Sequence, residues 1–180
     1  TQISSLSLDA DKTYEIDTLI LATGFDAMTG ALTSIDITGR DGAKLKDQWE
    51  SGAKSYLGLG IANFPNLFTV TGPGSPSVLS NMMPSIEQHV NWITDCIEWM
   101  NANDKKVIES SKTAEDDWMV LVNEIADMTI FTDTKSWYNG SNIEDKAKAF
   151  LPFIGVPVYT EMLEQIVAED YKGFIFDRVN

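Results

Sequence analysis

Apolar residues recur at intervals of three and four in the second half of the chain, and this spacing is typical of a helix with one buried face. The longest such segment begins near Pro84, a residue well suited to the first turn of a helix. A second helix is predicted over residues 112–126 and a third over residues 159–169. The expected buried face of the first helix carries Ile86, Val90, Ile93, Ile97 and Met100, and that of the second carries Trp118, Leu121, Val122 and Ile125.

Short apolar runs that end in turn signals lie mainly in the first half of the chain and predict strands. The predicted strands are Tyr14–Ala22, Ser34–Ile37 and Leu67–Thr71. The first ends at Ala-Thr-Gly-Phe, and the third ends at Gly-Pro-Gly. Strands that come early and helices that come late predict an α/β fold, which would form one continuous region over residues 1–180.

Composition and charge narrow the classes of function. The chain has 180 residues, and its 13 basic and 27 acidic side chains give a net charge of −14. Such an acidic chain is repelled by phosphate backbones and anionic lipids, so we expect neither a nucleic-acid partner nor a membrane partner. No apolar run approaches the roughly 20 residues that a membrane-spanning helix needs. Cys96 is the single cysteine and has no partner for an internal disulfide, which favours a reducing, cytoplasmic location.

The residue types that usually carry catalysis are sparse. His89 is the only histidine. A lone histidine in a helix is more often packed in the core, or exposed to solvent at the tip of its ring, than a general base. One histidine and one cysteine do not form a common zinc site, so no metal site is expected. The sequence contains neither a Walker loop nor a Gly-x-Gly-x-x-Gly fingerprint. The residues alone therefore predict no catalytic group.

Three loops have compositions that are unusual for simple connectors. Residues 22–26 place a glycine directly after a strand, where a backbone approaches a ligand closely because no Cβ intervenes. Residues 71–89 combine glycine, proline and small hydroxyl residues before the long helix, with apolar side chains available as a pocket wall. Residues 131–142 carry adjacent aromatic side chains beside Asn-Gly. Each loop is also compatible with an ordinary turn or with packing against the core.

The sequences of these loops resemble one enzyme family. The segments "DTLILATGFDAMTGAL", "GPGSPSVLSNM" and "SWYNGSN" occur in the order and spacing of the flavin-dependent Baeyer–Villiger monooxygenases, and the likeness is greatest to the phenylacetone monooxygenase type. The resemblance covers about Tyr14 to Phe176. It implies the C-terminal part of a two-dinucleotide-binding (FAD/NADP) Rossmann-like flavoprotein. The nucleotide-binding parts that precede this region in the family are absent from the sequence.

The resemblance also implies cofactors, a reaction and site residues. The family uses FAD, NADP(H) and O₂ to insert one oxygen atom beside a ketone carbonyl, which gives an ester or lactone. Residues 72–83 would form the substrate-pocket loop, and residues 131–146 would form the NADP lid. The implied cofactor-binding residues are Thr23, Gly24, Phe25, Asn81, Met82, Trp137 and Asn142. The implied substrate-pocket residues are Ser77, Val78, Leu79 and Met82. The implied partners are a small-molecule ketone and the N-terminal portion of the same enzyme.

Two other functions stay open at the level of sequence. A flavin monooxygenase that oxidises nitrogen or sulfur would share the Ala-Thr-Gly-Phe corner, and a non-catalytic α/β interaction module would keep the fold without the cofactors. Glu144-Asp145 replaces the Pro-Gly pair that is usual in the family after the tryptophan loop. Acidic side chains near a cofactor phosphate are unfavourable. Together with the net charge of −14, this indicates that basic residues outside this chain hold the NADPH phosphates.

Overall fold

The computed structural model describes residues 5–9, 12–22, 26–27, 29–76, 81–129 and 155–177. Two antiparallel strand pairs are present in this part: β1 (Ser5–Asp9) with β2 (Lys12–Glu15), and β3 (Val107–Ser110) with β4 (Phe174–Asp177). The helices are α1 (Gly30–Thr33), α2 (Leu45–Gln48), α3 (Met82–Ala102), α4 (Lys112–Asp127) and α5 (Val156–Ala168), with a 3-10 turn at Arg40–Gly42.

The three long helices begin at local signals that the sequence contains. The side chain of Asn81 caps α3 by accepting a hydrogen bond from the N–H of Met83 at 3.1 Å. Ser111 caps α4 in the same way, through the N–H of Ala114 at 3.1 Å. Gly155 precedes α5, which has a proline in its first turn. The three predicted helices are therefore confirmed, with starts within three residues of those expected.

The buried face of α3 differs from the prediction. Val90 and Ile97 are 48% and 45% exposed, so this part of the expected stripe does not face the core, whereas the expected Met100 is buried and the expected Ile93 packs against the core. The residues that are buried are Ser85, His89, Trp92, Cys96 and Met100. Trp92 lies against Tyr171 and Phe174, with ring centroids 5.2 and 5.5 Å away. Aromatic and polar partners on other elements therefore set the rotation of α3.

The predicted strand Tyr14–Ala22 is wrong over most of its length. β2 ends at Glu15, and Ile20 and Leu21 are 82% and 76% exposed. A strand forms only where a neighbour pairs with its backbone, and the register of β1 reaches no further than Glu15. The expected burial of this segment therefore has no partner among the described residues.

The other two predicted strands are also wrong. In place of Ser34–Ile37, the chain leaves α1 through backbone hydrogen bonds such as that from Ser34 N–H to the Gly30 carbonyl. Within Leu67–Thr71, only Phe68 forms a bridge, to Gly60. Thr71 has φ = 51°, which ends the extended conformation. The prediction also missed β3 and β4, because their pairing joins residues about seventy positions apart.

The described residues form two hydrophobic clusters. The larger lies among α3, α4, α5 and β3, and it includes Leu57 and Leu59 from a preceding turn. The smaller joins α2 to residues 53–64, around Leu45 and Trp49. None of the helices in the described ranges combines the length and the apolar character that crossing a bilayer requires.

Candidate functional site

The Gly-Pro-Gly loop singled out in the sequence forms a fully buried turn, Gly72–Pro76. It packs directly on a second turn through the carbonyl of Gly58, which accepts hydrogen bonds from Gly72 N–H at 3.2 Å and from Thr69 Oγ1 at 2.7 Å. Ser75 closes the loop, since its N–H and its Oγ both donate to the carbonyl of Gly72. The polar groups of this buried turn are thus paired with one another and with the neighbouring turn.

Two side chains from elsewhere in the chain complete the turn. Ser55 Oγ donates to the carbonyl of Pro73 and accepts from the N–H of Gly58 at 3.0 Å. Trp118 of α4 donates its indole N–H to the carbonyl of Gly74 at 2.9 Å. Because both contacts are buried, losing either leaves a carbonyl without a partner in a dry environment. The turn is therefore held as a rigid platform.

Glycine is required where the two turns approach. Gly58 has φ = +74°, and a Cβ there would lie 2.4 Å from the Cβ of Ser75. Gly74 has φ = +85°, and its Cβ would lie 2.9 Å from the indole nitrogen of Trp118. Left-handed backbone and lack of space both exclude a side chain at these positions. The glycines therefore serve a close approach of backbone to backbone.

The buried turn leads towards the start of α3, where two predicted site residues lie. Asn81 is exposed and Met82 is half-buried, and the first turn of this 21-residue helix contains no acidic side chain. Met83 is 60% exposed. The N-terminus of a long helix carries partial positive charge and backbone N–H groups that lack intrahelical acceptors. This end of α3 therefore suits an electron-rich, partly apolar ligand.

His89 lies two turns further along α3, in the core. Its Nδ1 accepts a hydrogen bond from the N–H of Thr71 at 2.9 Å, and its Nε2 lies 3.0 Å from the hydroxyl of Tyr159 in α5. Tyr159 donates in turn to the carbonyl of Leu57. Burial lowers the pKa of His89 to about 4 and raises the pKa of Tyr159 well above its usual value. The expectation of a packed histidine is confirmed, and both groups are neutral near pH 7.

Most of the predicted site residues lie outside the described residues. The residues concerned are Thr23, Gly24, Phe25, Ser77, Val78, Leu79, Trp137 and Asn142, together with the whole predicted lid over 131–146. Their roles stay predictions. The structure describes the flanks of the predicted pocket loop, namely Gly72–Pro76 on one side and Asn81 and Met82 on the other.

Sequence reasoning missed the residues that hold this platform. The missed residues are Ser55, Gly58, Trp118 and Tyr159. The one available signal was the pair of glycine-rich segments, Leu-Gly-Leu-Gly at 57–60 and Gly-Pro-Gly at 72–74. Neither segment has the spacing of a phosphate-binding loop, so neither predicts by itself that it packs on the other. Their complementarity, in which one turn packs on the other, becomes visible only in three dimensions.

The other candidates for chemistry are structural. Burial raises the pKa of the Cys96 thiol to about 12, so this side chain is a poor nucleophile. Glu115 of α4 is buried and accepts a hydrogen bond from the N–H of Ala62 at 3.1 Å. Within the ranges that the structure describes, no group of three or more histidine, cysteine or acidic residues is arranged to hold a metal ion.

A groove of about 690 Å³ runs between α3 and α5. Trp92, Leu163 and Val167 line its apolar wall, and Glu87 and Asp95 are among the acidic residues at its edge. None of the residues of the Gly72–Pro76 turn lines it. Carboxylates repel phosphate groups, so this groove is a poor site for a dinucleotide.

The chain is similar to several known monooxygenases. It is 41% identical over 163 residues to the acetone monooxygenase (methyl acetate-forming) of Gordonia sp. (strain TY-5), a match that covers 89% of this chain and 31% of that protein. It is 39% identical to phenazine N-monooxygenase PhzNO1 of Lysobacter antibioticus, covering 90% of this chain and 30% of that protein. Cyclohexanone 1,2-monooxygenase of Acinetobacter sp. is 37% identical over 172 residues, covering 95% of this chain and 31% of that protein. No protein-family model matches the sequence.

Solved structures of flavoprotein monooxygenases are similar to this chain in fold. Cyclohexanone monooxygenase from Rhodococcus sp. Phi1 bound to NADP⁺ superposes with a TM-score of 0.87 at 38% identity, over 93% of this chain and 32% of that one. Oxidized steroid monooxygenase bound to NADP superposes with a TM-score of 0.82 at 42% identity, over 94% of this chain and 32% of that one. The expected α/β flavoprotein fold is confirmed, whereas the closer likeness to the phenylacetone type stays a prediction. The chain spans about a third of the length of the relatives it matches, and by sequence and by fold it is similar to that part of the Baeyer–Villiger monooxygenases and related flavoprotein monooxygenases.

Proposed function

We propose that this chain is the C-terminal part of an FAD- and NADPH-dependent Baeyer–Villiger monooxygenase. The enzyme inserts one oxygen atom from O₂ beside a ketone carbonyl and forms an ester or a lactone. The observation that carries the proposal is the identity of 41% and 37%, over about nine-tenths of the chain, to enzymes that are named for acetone and cyclohexanone. The N-terminal portion of the same enzyme is the partner that completes the site.

The described residues fit a flavin. The start of α3 carries no acidic side chain, so its helix-dipole charge and the backbone N–H of Met82 would stabilise the electron-rich edge of a flavin ring placed there. The thioether of Met82 is a favourable neighbour for an aromatic ring. FAD, when bound, would supply the redox chemistry with O₂, and NADPH would supply the reducing equivalents.

In this proposal the chain binds, orients and excludes water. Asn81 and Met82 contact the flavin, and Met82 also contacts the ketone together with Ser77, Val78 and Leu79. The remaining cofactor contacts come from Thr23, Gly24 and Phe25 in one loop, and from Trp137 and Asn142 in the lid over 131–146. The polar groups of the buried Gly72–Pro76 turn pair with protein groups, among them Ser55, Gly58 and Trp118, which supports a dry floor beside the reacting groups.

The test uses the intact protein that contains this chain, purified with FAD and supplied with NADPH and ¹⁸O₂. We expect acetone, cyclohexanone or a steroid ketone to yield an ester or lactone with one labelled oxygen atom per molecule. If NADPH is consumed and no ketone in the panel gives a labelled ester, the proposal is wrong.

Met82 and Met83 provide a matched pair of variants for the same assay. Met82→Ala removes a proposed pocket contact, so we expect the KM for the ketone to rise roughly tenfold. Met83→Ala removes an identical side chain one position away, which is 60% exposed, and we expect little change. Equal effects of the two substitutions would contradict the placement of Met82 in the pocket.

A second candidate is N-oxygenation, which the 39% identity to phenazine N-monooxygenase favours. In that case the same protein would convert phenazine to a labelled N-oxide and would leave the ketones unchanged. Phenazine therefore belongs in the ¹⁸O₂ panel, where the labelled product distinguishes the two reactions.

A further inference from the structure

A line of three hydrogen bonds, two buried and one partly buried, connects two turns through α3 and α5. The N–H of Thr71 donates to Nδ1 of His89 at 2.9 Å, and Nε2 of His89 meets the hydroxyl of Tyr159 at 3.0 Å. The hydroxyl of Tyr159 donates to the carbonyl of Leu57. The side chains of His89 and Tyr159 are completely buried, so water has little access to the contact between them or to the contact with Leu57.

The donors and acceptors along this line have a single consistent arrangement. A backbone N–H only donates, so Nδ1 of His89 carries no proton and the neutral ring carries its proton on Nε2. Nε2–H then donates to the oxygen of Tyr159, whose own hydrogen is left for the carbonyl of Leu57. Every group in the line is paired, and a second proton on His89 would break the contact with Thr71.

Both ends of the line fall on residues in a disfavoured backbone conformation. Thr71 has φ = 51° and Leu57 has φ = 63°, in the left-handed region that a β-branched residue and a leucine rarely adopt. Such conformations persist only where the surrounding structure imposes them, and they are concentrated at functional sites. The side chains that hydrogen-bond to these two backbones are His89, at Thr71, and Tyr159, at Leu57.

These two residues immediately precede the glycines at which the turns meet. Leu57 leads into Gly58, Thr71 leads into Gly72, and the N–H of Gly72 donates to the carbonyl of Gly58 at 3.2 Å. The His89–Tyr159 pair therefore holds both sides of the close approach that supports the Gly72–Pro76 turn.

We propose that His89 and Tyr159 are positioning residues for the proposed substrate pocket. By fixing the backbone at Thr71 and Leu57, they fix the position of the Gly72–Pro76 turn, from which the chain continues into the proposed pocket loop. This inference rests on the proposed oxygenase function. Neither side chain contacts the substrate in this role, and both act through the backbone that they hold. The contact between His89 and Thr71 carries most of the effect on the pocket, because it is the one that touches the turn.

The two amide substitutions of His89 separate positioning from simple packing. In His89→Asn the side-chain oxygen replaces Nδ1 and still accepts from the N–H of Thr71. In His89→Gln the longer amide replaces Nε2 and keeps the contact with Tyr159, while the contact with Thr71 is lost. Each variant thus retains one of the two hydrogen bonds of His89. If His89 had only a structural role, both variants would lose similar amounts of kcat/KM.

The activity assay uses the intact enzyme with FAD, NADPH and its ketone. We expect kcat/KM for His89→Asn to stay within about threefold of the parent. For His89→Gln we expect a loss of roughly tenfold, which corresponds to about 1.4 kcal/mol, and a lower yield of ester per NADPH consumed. The inference is overturned if both variants lose kcat/KM equally or if neither changes.

Hydrogen–deuterium exchange of the same proteins provides a readout that needs no turnover. We expect faster exchange in the peptide over residues 68–76 for His89→Gln and parent-like exchange for His89→Asn. Tyr159→Phe should speed exchange over residues 56–60, since the carbonyl of Leu57 loses its donor. Equal exchange in all variants would overturn the positioning role. If the parent oxygenates no ketone, the proposed function fails, while the exchange data still decide whether His89 fixes the turn.

Discussion

Replacing Gly58 by alanine tests whether the contact between the two turns stabilises the protein. Gly58 has φ = +74°, and the added Cβ would lie 2.4 Å from the Cβ of Ser75 and 3.0 Å from the carbonyl oxygen of Gly72. The neighbours are backbone and a short side chain, so no flexible group moves aside. We expect the Gly58→Ala protein to fold with reduced stability and a displaced Gly72–Pro76 turn.

The magnitude follows from three contributions. The left-handed conformation costs an alanine roughly 1–2 kcal/mol, and the reduced entropy of the unfolded chain returns about 0.4–1 kcal/mol. Overpacking in a well-filled interior adds about 1–3 kcal/mol. The expected loss in the free energy of unfolding is therefore about 1–5 kcal/mol for Gly58→Ala, with a central value of about 3 kcal/mol.

Gly42→Ala is the matched control. Gly42 has φ = +81°, and a Cβ there meets nothing within 4 Å, so only the conformational contribution applies. We expect this variant to lose about 1 kcal/mol or less. The assay is urea unfolding followed by tryptophan fluorescence, because Trp118 contacts the turn directly. If Gly58→Ala loses no more stability than Gly42→Ala, the close approach of the two turns is not a source of stability.

Three further predictions concern buried polar groups. Trp118→Phe leaves the carbonyl of Gly74 unpaired and should cost about 1–3 kcal/mol in urea unfolding; an unchanged midpoint would contradict this. Burial lowers the pKa of His89 to about 4, so below pH 6.5 the unfolded state binds more protons than the folded state. The free energy of unfolding should therefore fall by about 3 kcal/mol as the pH drops to 4. His89→Asn should remove that part of the pH dependence. Burial raises the pKa of Glu115, so its contribution to the free energy of unfolding is lost as the pH rises through its folded-state pKa. Glu115→Gln still accepts the hydrogen bond from Ala62, so this variant should be at least as stable as the parent at pH 8. A lower urea midpoint for the variant at pH 8 would contradict the raised pKa.

The helices of this protein are largely encoded in local sequence. Helical apolar spacing, with Pro84 as a first-turn signal, predicted α3, α4 and α5 with starts within three residues of those observed, and the structure adds the capping residues Asn81 and Ser111. The information lies within one or two turns of the chain, so no distant contact is needed to interpret it. The motifs that pointed to the enzyme family are equally local.

The strands could not be predicted in the same way. The apolar run Leu19–Leu21 has the composition of a buried strand, yet it is exposed in the described structure. β3 has only four residues and pairs with β4, which is almost seventy residues away. A strand is defined by its neighbour as much as by its own residues, so composition alone misplaces it.

The face that α3 buries and the platform of the candidate site were decided only by tertiary structure. Periodicity favoured Val90 and Ile97 for the core. His89 and Trp92 are buried instead, because His89 contacts the hydroxyl of Tyr159 on α5 and Trp92 packs against Phe174 of β4. The left-handed backbone of Thr71 likewise has no signal in its own residue type. By itself the sequence determined the resemblance to one enzyme family, the three long helices and the loops that carry that resemblance. The tertiary structure decided which side chains hold those loops, because that depends on contacts between residues far apart in the chain.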